Sequence, residues 1–186
     1  MASIKSIKNY IWHKLKDTDF KAYFFSEKEG DNQMKNKLEL WNAKLLQVNA
    51  VNEIIKYNQT TNQRGLLLTQ KDALEIVQKR GYELKKNGRI EFGKGSIGKI
   101  IEAFYNSPYI SQSNYKDTLC SLIEIFYYYK NETLDYLSDD DLINYMQLYF
   151  NGTCHGSVNL LATREMDQLA RDIRNRSNES ADNDYF

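Results

Sequence analysis

Proline is almost missing from this chain: Pro108 is the only one among 186 residues, and only nine glycines accompany it. Both residue types interrupt helices, so their scarcity favours helices joined by short loops over the turn-dense connectivity of a sandwich or barrel. Alternating runs rich in Val and Thr are missing too, which removes the usual mark of half-buried strands. There are two cysteines, Cys120 and Cys154, and two histidines, His13 and His155. Neither pair has the count or spacing of a disulfide framework or a zinc site, so no metal and no cofactor is expected, and a reducing cytoplasm is the expected location. No stretch approaches the about 18 consecutive apolar residues of a membrane span, and the N-terminal lysines precede no apolar core or cleavage signature, so neither a span nor a signal peptide is expected. Formal net charge is zero, which leaves no global field to draw the chain to nucleic acid or acidic lipid.

What is present is helical periodicity. Hydrophobic residues make up 41%, enough for one core, and the length suits one domain with extensions. Residues 1–37 read as an N-terminal extension containing a basic amphipathic helix, in which Ile4, Ile7, Ile11 and Leu15 recur beside Lys5, Lys8, Lys14 and Lys16. Residues 38–176 read as the helical domain, and 177–186 as a polar, disordered tail. Within the domain, Leu38, Trp41, Leu45, Val48 and Ile55 approach a 3.5-residue repeat and predict one long helix to about Tyr57, with Asn52 at a seam position. Thr69 to Asp72 has the form of a capping box opening a helix that runs to Asn87 and stops at Gly88. Ala73, Val77, Gly81 and Leu84 mark its expected inner face, where a glycine predicts the close approach of another backbone. A short extended segment at 89–92 leads to a helix marked by Ile97, Ile100, Ile101 and Phe104, which ends before Pro108.

From about 114 to 130 apolar residues cover nearly every side, which predicts a central buried helix. Its run Tyr127-Tyr128-Tyr129 spreads three rings over about 200° of the helix, as core plus rim. Ser138 before Asp139, Asp140 and Asp141 caps a further helix, and Met166, Leu169, Ala170 and Ile173 mark the last. The expected fold is therefore all-α, a multi-helix bundle around the helix at 114–130.

Three constellations bear on chemistry. Gly93-Lys94-Gly95-Ser96-Ile97-Gly98-Lys99 matches G-x-G-x-x-G and the first seven positions of the P-loop pattern, at the start of a helix, where backbone N–H groups can cradle a phosphate. Ile100 stands where the P-loop places the hydroxyl that holds magnesium. A dinucleotide fold would need a second parallel strand ending in an acid, and Asp117, near the required distance, falls in the first turn of the central helix. Gly93, Gly95, Gly98 and Lys99 remain the candidate anion ligands, set against a plain glycine turn between an extended piece and a helix. Cys154 and His155 adjoin in a loop of small residues, but neighbours on an extended chain point to opposite sides, which argues against a catalytic dyad. Glu124 lies at helical spacing from Cys120 and from Tyr127 or Tyr128. Buried with its helix, it would have to be hydrogen-bonded, paired or neutral, with desolvation raising its pKa, and a structural network is the expected account. None of the three is a complete catalytic set.

Four phrases carry a resemblance: Gly88-Arg89-Ile90-Glu91-Phe92-Gly93-Lys94-Gly95, Ser107-Pro108-Tyr109-Ile110-Ser111-Gln112-Ser113-Asn114-Tyr115, Tyr128-Tyr129-Lys130-Asn131-Glu132-Thr133 and Asn151-Gly152-Thr153-Cys154-His155-Gly156-Ser157. On these, from about Val51 to Arg174, the chain resembles a family of small bacterial proteins, mostly from Gram-positive Firmicutes, classed as a domain of unknown function. The resemblance implies no activity, catalytic residue or cofactor, and residues 1–37 extend beyond the family's usual start. Fourteen tyrosines supply rings with polar tips of the kind favoured at protein interfaces. The expected function is a non-catalytic protein-binding or regulatory module whose partner is another protein. The alternative is an enzyme or sensor that binds a phosphorylated small molecule at the Gly93–Lys99 loop.

Overall fold

Helices begin where the sequence supplies caps. In the computed structural model, which describes residues 45–91 and 95–182, the Asp72 N–H donates to the Thr69 hydroxyl at 3.1 Å and the Thr69 N–H donates to the Asp72 carboxylate at 2.9 Å. This closed box opens helix α2, Gln70–Lys86, and satisfies donors that a helix start otherwise leaves to water. The Ser138 hydroxyl likewise accepts from the Asp141 N–H at 3.1 Å and opens α5, Asp139–Asn151, whose three leading aspartates favour the positive helix end.

The other long helices are α1 over residues 45–56, α3 Ser96–Phe104 and α4 Tyr115–Glu132. The last helical run starts with one turn, Val158–Leu160, passes through a π-helical stretch, Leu161–Met166, and continues as α6, Asp167–Asp182. No β-strand occurs among the described residues. The described residues lie within one compact unit, Lys44–Phe186; residues 1–37 lie outside them.

Helix α4 is the centre of the bundle. Leu119, Leu122, Ile123 and Phe126 are essentially without solvent contact, and α4 packs most extensively against α2, with further contacts to α3, α5 and α6. The core adds Ala73 and Ile76 from α2, Ile97, Ile100, Ile101 and Phe104 from α3, and Leu142, Ile143, Met146 and Phe150 from α5. Leu161, Met166 and Ala170 close it from the last run. Each fully buried Leu, Ile or Phe contributes about 1.5–3 kcal/mol of transfer free energy. Edge-on aromatic pairs fix the α3–α5 contact, with Phe104 and Phe150 ring centres 5.4 Å apart.

Four features depart from the sequence expectation. In α1 the inward residues are Ala50 and Ile54, while Leu45 and Val48 are exposed and Asn52 faces water, so the buried stripe is not the 3.5-residue seam. In α2 the inner face carries Ala73, Ile76, Arg80 and Glu83, turned from the expected set because two charged residues lie inside. Gly81 is exposed, and a Cβ there would meet no atom within 4 Å. Residues 89–91 form no regular element: the Arg89 N–H closes the end of α2 on the Leu84 carbonyl at 2.8 Å, and the Arg89 and Glu91 side chains reach Asn131 and Tyr127 of α4. At the other end the backbone stays helical through Asp182, carried past residue 176 by a run whose anchors Met166 and Ala170 are buried.

Candidate functional site

The start of α3 is occupied by the protein's own anion. Glu91 lies just upstream of the helix, and its carboxylate accepts from the Ser96 N–H at 3.3 Å, the Ser96 hydroxyl at 2.8 Å and the Tyr127 hydroxyl at 2.6 Å. Arg80, on the inner face of α2, brings its Nε within 3.4 Å of the same carboxylate. A negative group at a helix N-terminus meets unpaired N–H groups and the positive end of the dipole. Gly95 has φ +52°, and a Cβ there would overlap the Glu91 carboxylate, so glycine is required both for the turn and for the approach of Glu91. Burial raises the Tyr127 pKa and the Glu91 charge raises it further, which keeps this hydroxyl a donor.

Of the motif's other members, Gly93 lies outside the described residues, and Gly98 is buried inside α3. Lys99 is exposed and pairs with Asp140 at 2.8 Å. Arg80 and Glu91 also line a groove of about 440 Å³ between α1 and α2, with Leu46, Ala50, Val77 and Leu84 as its apolar walls. Its charged lining is Arg80 against Glu53 and Glu91, a balance that opposes a phosphate.

Cys154 and His155 are separated by the turn that holds them. Cys154 is buried with a thiol pKa raised by desolvation, the opposite of an activated nucleophile. His155 adopts φ +48°, is exposed, and sets Nδ1 3.2 Å from the Tyr109 hydroxyl. Gly156, φ +81°, follows because a Cβ there would run into the Tyr109 ring.

Glu124 is half exposed and sits among ions instead of in the apolar core. It accepts from Lys79 at 2.7 Å and faces Lys86 at 3.7 Å. The Lys79 hydrogen bond outweighs the desolvation, so its pKa lies below the ordinary carboxylate value, not above it. Lys79 also faces the fully buried Glu83 at 3.0 Å, which places that carboxylate in the same network.

Beside Glu124 lies an open groove of about 550 Å³ between α4 and the last helical run. Ile125, Val158 and Ala162 make its apolar floor, Tyr128 flanks them, and Lys86, Glu124 and Asp167 stand around them. Tyr128 is 45% exposed. The wall is the π-helical stretch: its register withholds the usual amide from a carbonyl, and the Tyr129 hydroxyl lies 2.5 Å from the Ala162 carbonyl and 2.6 Å from the Asp167 carboxylate as a donor. Such π turns are frequent at functional sites. Sequence reasoning had the tyrosines as core plus rim but no sign of this groove, because Ile125 and Ala162 meet only in the fold. Glu91, Arg80, Ser96 and Tyr127 were missed for the same reason, and the single local clue was an acid just before the glycine turn.

A family model described as a family of unknown function, DUF6323, matches residues 53–179. That span is more than half of the chain, and the chain belongs to this family. No curated protein and no solved structure matches it.

Proposed function

We propose that this member of the DUF6323 family is a protein-binding or regulatory module without catalytic activity, and that the groove between α4 and the π-helical stretch receives an apolar side chain of a partner protein. The observation that carries this reading is Tyr128, a large ring left half exposed over an apolar floor on two well-packed helical walls. An amphipathic ring beside an apolar floor is a usual form of interface anchor. The groove's ionised acid, Glu124, is held by Lys79 and Lys86, which suits a polar rim rather than proton transfer. Two free thiols, Cys120 and Cys154, fit a reducing cytoplasm as the place of action.

The test is capture from an extract of cells that make the protein, with wild type beside Tyr128→Asp. A stoichiometric partner retained by wild type and lost by the variant is expected. Wild type that recovers no partner and runs as a lone monomer overturns the proposal. The phosphorylated-ligand alternative is met by thermal shifts with nucleotides and phosphosugars. A ligand at about 100 times its Kd would stabilise by about 2.7 kcal/mol, whereas none is expected, because a phosphate at this helix end would have to displace Glu91. A shift that disappears in Lys99→Ala would favour the alternative.

A further inference from the structure

The outer side of α5 presents a second surface with a different character. Tyr145 and Leu148 are exposed, Leu148 by 65%, and the Tyr145 and Tyr149 rings stack with centroids 6.3 Å apart. Positions 145, 148 and 149 form one ridge at helical spacing, while Leu142, Ile143, Met146 and Phe150 face the core. A soluble helix ordinarily turns polar side chains to water on this side.

Among the described residues, Asp141 and Asp172 are the carboxylates beside the ridge that have no cationic counterpart, being bonded to Ser138 and Gln168. Helix α5 carries three aspartates and no basic residue. Glu165 and Asp172, from the neighbouring run, lie close enough to Tyr149 to raise its hydroxyl pKa beyond the effect of burial. Most cations of the packed elements are engaged, and Arg176 of α6 is exposed. Lys99 of α3 pairs with Asp140, Lys130 of α4 with Asp139, and Arg164 with Glu165. Arg171 donates to the Asp167 carbonyl, and Arg174 pairs with Glu132. Asp141 and Asp172 are exposed and, among the described residues, bonded to neutral groups, the Ser138 hydroxyl and the Gln168 amide.

We propose that the ridge of Tyr145, Leu148 and Tyr149, with Asp141 and Asp172 beside it, docks a basic amphipathic helix of a partner protein. Apolar residues of such a helix cover Leu148 and the stacked rings, and its lysines or arginines meet the carboxylates, the helix-on-surface mode of recognition. A second copy pairing through the same face would set carboxylates against carboxylates. Nucleic acid and anionic lipid are repelled by the same charge. This surface is separate from the Tyr128 groove, and either can fail alone.

The experiment uses the full chain with methyl-labelled leucine and fluorinated tyrosine, titrated with a helical leucine–lysine peptide in amphipathic register and with its leucine–glutamate counterpart. The lysine peptide is expected to shift Tyr145, Leu148 and Tyr149 and to leave Tyr128 unmoved, while the glutamate peptide shifts none of them. Leu148→Ser should weaken the lysine peptide about tenfold, a loss of about 1.4 kcal/mol. The double change Asp141→Asn with Asp172→Asn should weaken it several-fold and flatten its salt dependence. All three positions are exposed, and unchanged melting of the variants verifies the fold. Equal binding of the two peptides, shifts centred on Tyr128, no shifts at the ridge, or indifference to Leu148→Ser would overturn the proposal.

Discussion

Tyr127 and Tyr129 are two residues apart on α4 and serve opposite sides of it, because each step along the helix turns the side chain by about 100°. Tyr127 is buried and donates to Glu91 in the glycine-turn cluster, where every charge has an internal counterpart. Tyr129 is also buried but donates into the wall of an open groove, with the exposed Tyr128 beside it. The side with the recognisable motif is closed by its own carboxylate, and the side without one carries the open groove. A constellation that resembles an anion site can therefore be a completed internal ion pair. The difference lies in where the nearest carboxylate sits.

The strongest way to break this contrast is Glu91→Ala. It removes the acceptor shared by Arg80, Tyr127 and Ser96, and loss of one partner of a largely buried pair should cost about 3 kcal/mol in urea unfolding. A change within about 0.5 kcal/mol, the range of ordinary surface substitutions, would show that the cluster does not close this side of the bundle. Tyr129→Phe is the matching change across the helix. It deletes the donor to the Ala162 carbonyl and the Asp167 carboxylate and should cost about 1.5 kcal/mol, with faster amide exchange through residues 161–167. Tyr128→Phe should leave stability nearly unchanged, and a larger effect there than at Tyr129 would invert the assignment of the two rings.

Much of the fold was legible because it rests on local rules. The capping residues Thr69 and Ser138 sit at the helix starts, Gly152 follows the end of α5, and the near-continuous apolar character of residues 114–130 marks the helix that every neighbour packs on. The α2 face was misread because hydrophobic patterning assumes that Arg80 and Glu83 point outward. Both are buried, made tolerable by Glu91 and Lys79, which a periodicity count does not see. For Glu124 the expected network is present, but not the burial or the raised pKa: its helix is buried, while its own position faces the lysines of α2. The π register at Leu161–Met166 has no local signature and depends on Tyr129, more than thirty positions earlier in the chain.

A smaller effect separates exposed carboxylates from the buried cluster through pH. The Thr69 hydroxyl lowers the pKa of Asp72, Arg89 lowers that of Asp135 and Lys79 that of Glu124, from ordinary values of 3.8, 3.8 and 4.5. A pKa lower in the folded than in the unfolded chain gives stability that is complete above the ordinary value and is lost as pH falls through the folded one. Stability should thus hold near neutrality and decline in acid below about pH 4.5, the upper ordinary value. Thr69→Ala should cost about 1 kcal/mol at neutral pH by opening the capping box, and Asp72→Asn should show a shallower acid decline than wild type in unfolding series from pH 7 to pH 3. An acid decline as steep in Asp72→Asn as in wild type would remove this carboxylate from the account.

Gly81→Ala tests the smallest difference, and its sign is the informative part. Helical patterning puts Gly81 on the inner face of α2, where an added methyl group would press on another backbone and destabilise the bundle. Instead the inner face belongs to Arg80 and Glu83, Gly81 is exposed in mid-helix, and a Cβ has open space around it. Alanine then restricts the unfolded chain and favours the helix without a new contact, for an expected gain of about 0.5–1 kcal/mol. A higher urea midpoint with an unchanged denaturant slope would support the rotated face of α2. A lower midpoint would mean that a neighbouring segment does press on position 81 and that Arg80 and Glu83 do not displace the apolar stripe.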